Sequence, residues 1–201
     1  MSRKIVAILR GVTPDAVEGI AGELLDAGIE IIEVPLNSPE ALRSVALLAT
    51  RFGERALIGA GTVLTPEDVA AVQAAGGRLV VSPDTNPEVI RATKAAGMRS
   101  YPGVMTPSEC FAALRAGADG LKLFPGSLIG PAGLKAIRAV LPAGTQVLAV
   151  GGAGAENFAQ WKAAGADGFG IGTALYRPGD DAATVATRAR AIVQAYDAVF
   201  P

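Results

Sequence analysis

The 201 residues include eighteen basic and nineteen acidic side chains, are 50% hydrophobic and contain no histidine. That composition fits one compact domain over residues 1–201; no basic run or aromatic–basic stripe serves a nucleic acid, and no apolar stretch approaches the ~20 residues of a membrane helix. Without histidine, Ser-His-Asp triads, zinc–histidine sites and imidazole acid–base chemistry are excluded.

In chain order, short β-branched runs alternate with Ala-rich stretches. Strands are expected at residues 4–9, 29–35, 56–60, 78–82, 99–101, 120–124, 146–150 and 168–172, with helices between them. Eight such units imply an α/β protein whose parallel strands close into a (β/α)8 TIM barrel. The strands lack polar alternation, as strands covered on both faces do. Helix starts are expected where a capping residue precedes proline, at Thr13-Pro14, Ser38-Pro39, Thr65-Pro66, Asn86-Pro87 and Thr106-Pro107. Thr106 and Glu109 have capping-box spacing. Ala-Gly steps at 27–28, 75–76, 96–97, 116–117 and 164–165 mark helix ends.

The fragment Ala-Gly-Ala-Asp-Gly recurs at 116–120 and 164–168, a weak internal symmetry of the barrel plan. Asp119 and Asp167 thereby precede strands, at the end of the barrel that serves stability. The single Cys110 reads as a helix core residue, excludes an intrachain disulfide framework and points to the reducing cytoplasm. The leading residues lack the order of a signal peptide. Trp161 reads as helix–barrel packing.

Barrel active sites lie at the C-terminal strand ends. The polar residues expected there are Arg10, Glu33, Asn37, Thr62, Ser82, Lys122 and Thr173. Lys122 interrupts the apolar run Gly-Leu-Lys-Leu-Phe-Pro, with Leu121 and Leu123 on the opposite face. A buried ammonium loses its proton more easily, and the neutral amine can attack a ketone to form an iminium. The alternative is a snorkelling or ion-paired lysine. Glu33 interrupts Ile-Ile-Glu-Val-Pro in the same way; it reads either as an acid–base group or as a structural partner for Lys122 or Arg10. The Arg10 fork suits a carboxylate or phosphate, or a rim ion pair. Asn37 fits an Asx turn equally well. The glycine-rich segments 59–62, 151–154 and 170–173 read as turns after strands, and the last two fall where barrels hold phosphate.

Taken in order, these segments resemble a known family. They are Ala-Ile-Leu-Arg-Gly at 7–11, Glu-Val-Pro-Leu-Asn-Ser at 33–38, Gly-Ala-Gly-Thr-Val-Leu at 59–64 and Ser-Pro-Asp-Thr-Asn at 82–86. Tyr-Pro-Gly at 101–103, Leu-Lys-Leu-Phe-Pro at 121–125, Ala-Val-Gly-Gly at 149–152 and Gly-Thr at 172–173 complete the set. Over almost its full length the chain resembles the bacterial class I 2-keto-3-deoxy-6-phosphogluconate/6-phosphogalactonate aldolases. The resemblance implies a lyase with no metal or other cofactor, acting on a phosphorylated 2-keto-3-deoxy sugar acid. The products would be pyruvate and D-glyceraldehyde 3-phosphate, and the enzyme a homotrimer.

By the same resemblance, Lys122 matches the Schiff-base lysine and Glu33 the general acid/base. Arg10 and Thr62 match the pyruvyl-carboxylate and substrate-binding end, with Pro83 and Phe124 lining the pocket. Gly151, Gly152, Gly172 and Thr173 resemble the phosphate cradle, with Thr173 where the family often has serine. Pro35, Asn37 and Val150 resemble the galactonate-type branch. Gluconate-type chains tend to carry threonine where Val150 stands, and a hydroxyl there can pair with one C4 epimer. The alternatives are the gluconate epimer, another phosphate-binding barrel, or a non-catalytic barrel that binds sugar-acid phosphates.

Overall fold

The computed structural model describes residues 3–200. It contains nine parallel strands: β1 (Ile5–Ile8), β2 (Ile31–Pro35), β3 (Leu57–Gly61), β4 (Leu79–Val81), β5 (Arg99–Tyr101), β6 (Gly103–Val104), β7 (Leu121–Leu123), β8 (Val147–Val150) and β9 (Gly168–Ile171). Eight helices intervene: α1 (Pro14–Asp26), α2 (Ala41–Phe52), α3 (Pro66–Ala74), α4 (Pro87–Ala95), α5 (Pro107–Ala116), α6 (Gly126–Arg138), α7 (Phe158–Ala163) and α8 (Ala182–Val199). The sheet runs β5-β4-β3-β2-β1-β9-β8-β7-β6.

The two outer strands of that order are halves of one. β5 pairs with β4 and β6 with β7, and Pro102 lies between them. Proline has no N–H to continue the β4 ladder. Its carbonyl instead accepts from the Lys122 N–H at 2.9 Å, and the Gly103 N–H donates to the Asp84 carbonyl at 3.1 Å. The sheet therefore closes through the chain itself. The expected (β/α)8 barrel is present with its fifth strand broken.

Period-two alternation divides the strands between two cores. Ile5, Ala7, Ile32, Val34, Ile58, Ala60, Leu121, Leu123, Phe169 and Ile171 face the helices. Val6, Ile8, Leu79, Val81, Tyr101, Leu148 and Val150 fill the barrel. Trp161 and Cys110 are buried in the helix-facing core, as expected. Burial pushes the Cys110 thiol up to about 11, which leaves it unreactive.

Most punctuation follows the sequence. Thr65 with Asp68 and Thr106 with Glu109 form capping boxes, and Asn86 caps α4. The five glycines of the Ala-Gly steps all lie at positive φ. Ser38-Pro39 departs from expectation, because α2 starts two residues later, behind Glu40. The Ser38 hydroxyl is engaged elsewhere, accepting the Gly11 N–H at 2.9 Å. It thus braces the first strand–helix loop and caps no helix. The segment 59–62, expected as a turn, also differs: Gly59 and Gly61 lie inside β3.

The repeated Ala-Gly-Ala-Asp-Gly has one job in both copies. The Asp119 carboxylate accepts the Ser100 N–H and pairs with Lys94 at 2.7 Å. The Asp167 carboxylate accepts the Val147 N–H at 2.8 Å and pairs with Arg138. Each aspartate ties a strand start to a preceding helix. Asp167→Ala leaves that N–H unsatisfied and should cost about 1–3 kcal/mol. The expected readout is a melting temperature lower by roughly 2–12 °C with catalytic constants unchanged; an unaltered melting curve would refute the tie.

Candidate active site

β2 and β7 stand four strands apart in either direction around the barrel, counting β5 and β6 as one. Their inward residues therefore face each other across the axis. Glu33 lies beside Ile8 and Gly59 in the strand register, and Lys122 beside Gly103 and Leu148. Alternation leaves no other choice for Lys122, since Leu121 and Leu123 belong to the helix-facing core. A small interior cavity lined by Glu33, Lys122, Tyr101, Leu148, Val150 and Gly170 separates the two groups from the barrel floor. The Tyr101 hydroxyl donates to Gln146 at 2.7 Å, fixing that floor.

Glu33 is 1% exposed and Lys122 5%. No ion pair forms between them among the described residues, and Glu33 Oε2 has no hydrogen-bond partner. Burial pushes the Glu33 carboxyl up to about 7, opposed by the charges of Lys122 and Arg10. Burial also lowers the Lys122 pKa; Glu33 opposes that shift, and Arg10 adds to it. Beyond ion-pair distance, attraction at an effective dielectric near 20 is worth less than about 4 kcal/mol. Burying each ion costs several kcal/mol. Two burials outweigh one attraction, so both groups move toward their neutral forms. The Lys122 ammonium also has the Phe124 ring 4.7 Å away, which softens its desolvation.

Above the pair opens a cleft of about 390 Å³. Its lining includes Ile8, Arg10, Lys122, Phe124, Val150, Gly151, Gly152, Glu156, Gly172 and Thr173. Arg10 stands at the rim, its guanidinium donating to the Asn37 amide oxygen and at 3.4 Å to the Thr62 hydroxyl. Thr62 holds a left-handed φ of 56°, a strained backbone for a β-branched residue. Asn37 and Thr62 are absent from the cleft lining; the structure places them on Arg10. Pro83 lines neither the cleft nor the interior cavity.

At the far end, Gly151 and Gly152 have φ of 85° and 80°. The Gly152 and Thr173 N–H groups donate to no other backbone carbonyl among the described residues. Such free amides suit an oxyanion. Ser127 lies against this turn: a Cβ on Gly152 would fall 3.0 Å from that of Ser127. The sequence pointed to Lys122, Glu33, Arg10 and the cradle; Lys122, Arg10 and the cradle line one cleft, and Glu33 shares the interior cavity with Lys122. It overlooked Ser127, Glu156 and Tyr101, whose approach depends on tertiary packing. Among the described residues, no three His, Cys, Asp or Glu side chains gather as a metal site.

A family model described as KDPG and KHG aldolase matches residues 1–185. The "Probable 2-dehydro-3-deoxy-6-phosphogalactonate aldolase" of Rhizobium meliloti (strain 1021) is 49% identical over 200 residues, covering 100% of this chain and 94% of the relative. The 2-dehydro-3-deoxy-6-phosphogalactonate aldolase of Escherichia coli (strain K12) is 47% identical over 192 residues, covering 96% and 94%. A solved structure described as native KDPGal superposes with a TM-score of 0.98 at 46% identity, over 100% of this chain and 97% of that one.

The Glu33 shift has a definite thermodynamic sign. The folded protein holds this proton more tightly than the unfolded chain, where the ordinary value is 4.5. The resulting stability is fully present below about 4.5 and is lost as pH rises through about 7. Glu33→Gln cannot ionise. Its stability relative to wild type should therefore rise across that window by up to about 3 kcal/mol, measured by urea unfolding at both ends. A difference independent of pH would overturn the buried-carboxyl assignment.

Proposed function

Because the chain belongs to the family of KDPG and KHG aldolases, we propose that it is a class I aldolase that splits 2-dehydro-3-deoxy-6-phospho-D-galactonate into pyruvate and D-glyceraldehyde 3-phosphate. The observation that carries this reading is the buried, unpaired amine and carboxyl that share one interior cavity, with the amine also lining the cleft. Arg10 stands at the cleft's rim and free backbone amides at its other end.

The neutral Lys122 amine attacks the C2 ketone. Protonated Glu33 gives its proton to the carbinolamine hydroxyl, which leaves as water, and an iminium remains. The Glu33 carboxylate then takes the proton of the C4 hydroxyl. The C3–C4 bond breaks, its electron pair flows into the iminium, and the aldehyde phosphate departs. The enamine is protonated at C3, and water releases pyruvate and regenerates the amine. A carboxyl near 7 can give and take a proton in one cycle at neutral pH.

Arg10, held by Asn37 and Thr62, binds the substrate carboxylate through its fork. Gly151, Gly152, Gly172 and Thr173 hold the phosphate through their amides, and Phe124 covers the reacting carbons. Val150 offers no hydroxyl to the C4 substituent, which favours the galactonate epimer.

Incubation with pyruvate and borohydride should fix a reduced three-carbon adduct on Lys122 alone. Pyruvate release should be faster from the galactonate form than from the gluconate form. Faster release from the gluconate form would keep the mechanism and discard the Val150 argument. Tight binding of both acids without release or adduct would turn the reading to a non-catalytic sugar-acid-phosphate barrel.

The active form is a cytoplasmic homotrimer in this reading. Leu64, Met105 and Leu128 are 46%, 42% and 74% exposed. They sit after β3, after β6 and in the first turn of α6, at the cleft end of the barrel. Apolar groups left in water at the same end of the barrel suit association. Light scattering should give three times the chain mass for wild type and the chain mass for Leu64→Glu/Met105→Glu; a monomeric wild type would refute the trimer.

A further inference from the structure

The reaction needs the Glu33 carboxyl close to Lys122 yet apart from it, and something must hold it there with no hydrogen bond to Oε2. The nearest candidate is a missing side chain. A Cβ built on Gly61 would fall 1.8 Å from Glu33 Oε2, 2.4 Å from Cδ and 2.5 Å from Oε1. All three nearest atoms belong to that one carboxyl. Gly61 lies within β3 and is absent from the positive-φ glycines, so its backbone does not itself demand glycine. The requirement comes from Glu33.

We propose that Gly61 is a positioning residue. Its bare α-carbon forms the slot in the barrel wall in which the Glu33 carboxyl lies, short of contact with Lys122. This rests on the aldolase reading above. A methyl at position 61 fills the slot and drives the carboxyl toward the axis, where Lys122 is the facing group. The two then pair as ions, the amine holds its proton, and the carboxyl loses the freedom to give one. Gly59, two residues earlier, makes the contrast. A Cβ there would meet the Leu79 carbonyl oxygen at 1.9 Å, a backbone clash that does not involve Glu33.

The test compares Gly61→Ala, Glu33→Asp and the double variant with wild type, by cleavage of 2-dehydro-3-deoxy-6-phosphogalactonate across neutral pH. Gly61→Ala should lower kcat by about 100-fold and change KM little. The ionisation near 7 should fall by about one unit. The double variant, its carboxylate one methylene shorter, should recover about tenfold over Gly61→Ala. A loss of rate with the ionisation unmoved and no recovery would make Gly61 merely structural and overturn the proposal.

If Gly61→Ala does not fold, Gly61→Ala/Glu33→Ala is compared with Glu33→Ala in thermal melting. Equal melting supports the slot, and a further loss overturns it. Wild type that cleaves neither sugar acid would sink the substrate reading alone. Gly61 would then still be tested by NMR titration of the 13C-labelled Glu33 carboxyl, where an unchanged midpoint in Gly61→Ala overturns the proposal.

Discussion

The structure turns on two ionisable groups buried together without touching. Glu33 and Lys122 come from strands on opposite sides of the barrel, and their inward placement follows from strand alternation alone. An ion pair in contact would have been electrostatically cheaper than two separated buried ions, and it would have been inert. Separation makes desolvation the dominant influence on both groups. Both groups are thereby moved toward their neutral forms, the amine toward attack and the carboxyl toward donation. The rest of the barrel holds that separation dry, with Tyr101 and Gln146 at the floor and Val150 and Phe124 above.

A small barrel has little spare interior, and glycine supplies what there is. Gly59, Gly61, Gly168 and Gly170 all occupy inward positions on β3 and β9. A Cβ on Gly170 would meet Val150 at 2.7 Å, and one on Gly168 would meet Lys4 at 2.1 Å. Gly59 and Gly61 lie on the strand beside β2, and Gly168 and Gly170 on the strand beside β8. Their absent side chains set where the longer ones can lie.

That role explains what the sequence could and could not say. Local signals read true: the Thr106–Glu109 capping box and the Ala-Gly helix ends depend on neighbours within a few residues. Lys122 and Glu33 stood out because each breaks an apolar strand. The twinned aspartates announced a shared job through repetition. Reading failed where the deciding partner was remote. Ser38 carries the mark of a helix cap but serves Gly11. Asn37, expected at the substrate or in an Asx turn, instead holds Arg10. Pro102 splits a strand where its missing N–H ends the pairing with β4 and its carbonyl accepts from Lys122. A glycine that makes room inside a barrel looks, in sequence, like one that makes a turn.

Charge is divided along the cleft by a similar economy. Apart from Lys122, the lining offers one cation, Arg10, while Glu156 adds a negative charge near the cradle. A phosphate held by cations would bring strong positive charge near Lys122 and would bind product as firmly as substrate. In the proposed reading, backbone amides at Gly152 and Thr173 supply oriented partial charges instead, with less long-range field. Arg10 is the exception that matters, for its charge helps lower the Lys122 pKa. Once a substrate carboxylate neutralises Arg10, that influence fades and the amine becomes more basic. By then the carboxylate has already brought the ketone to it. Arg10 thus favours the neutral amine most strongly before a substrate carboxylate takes up its charge.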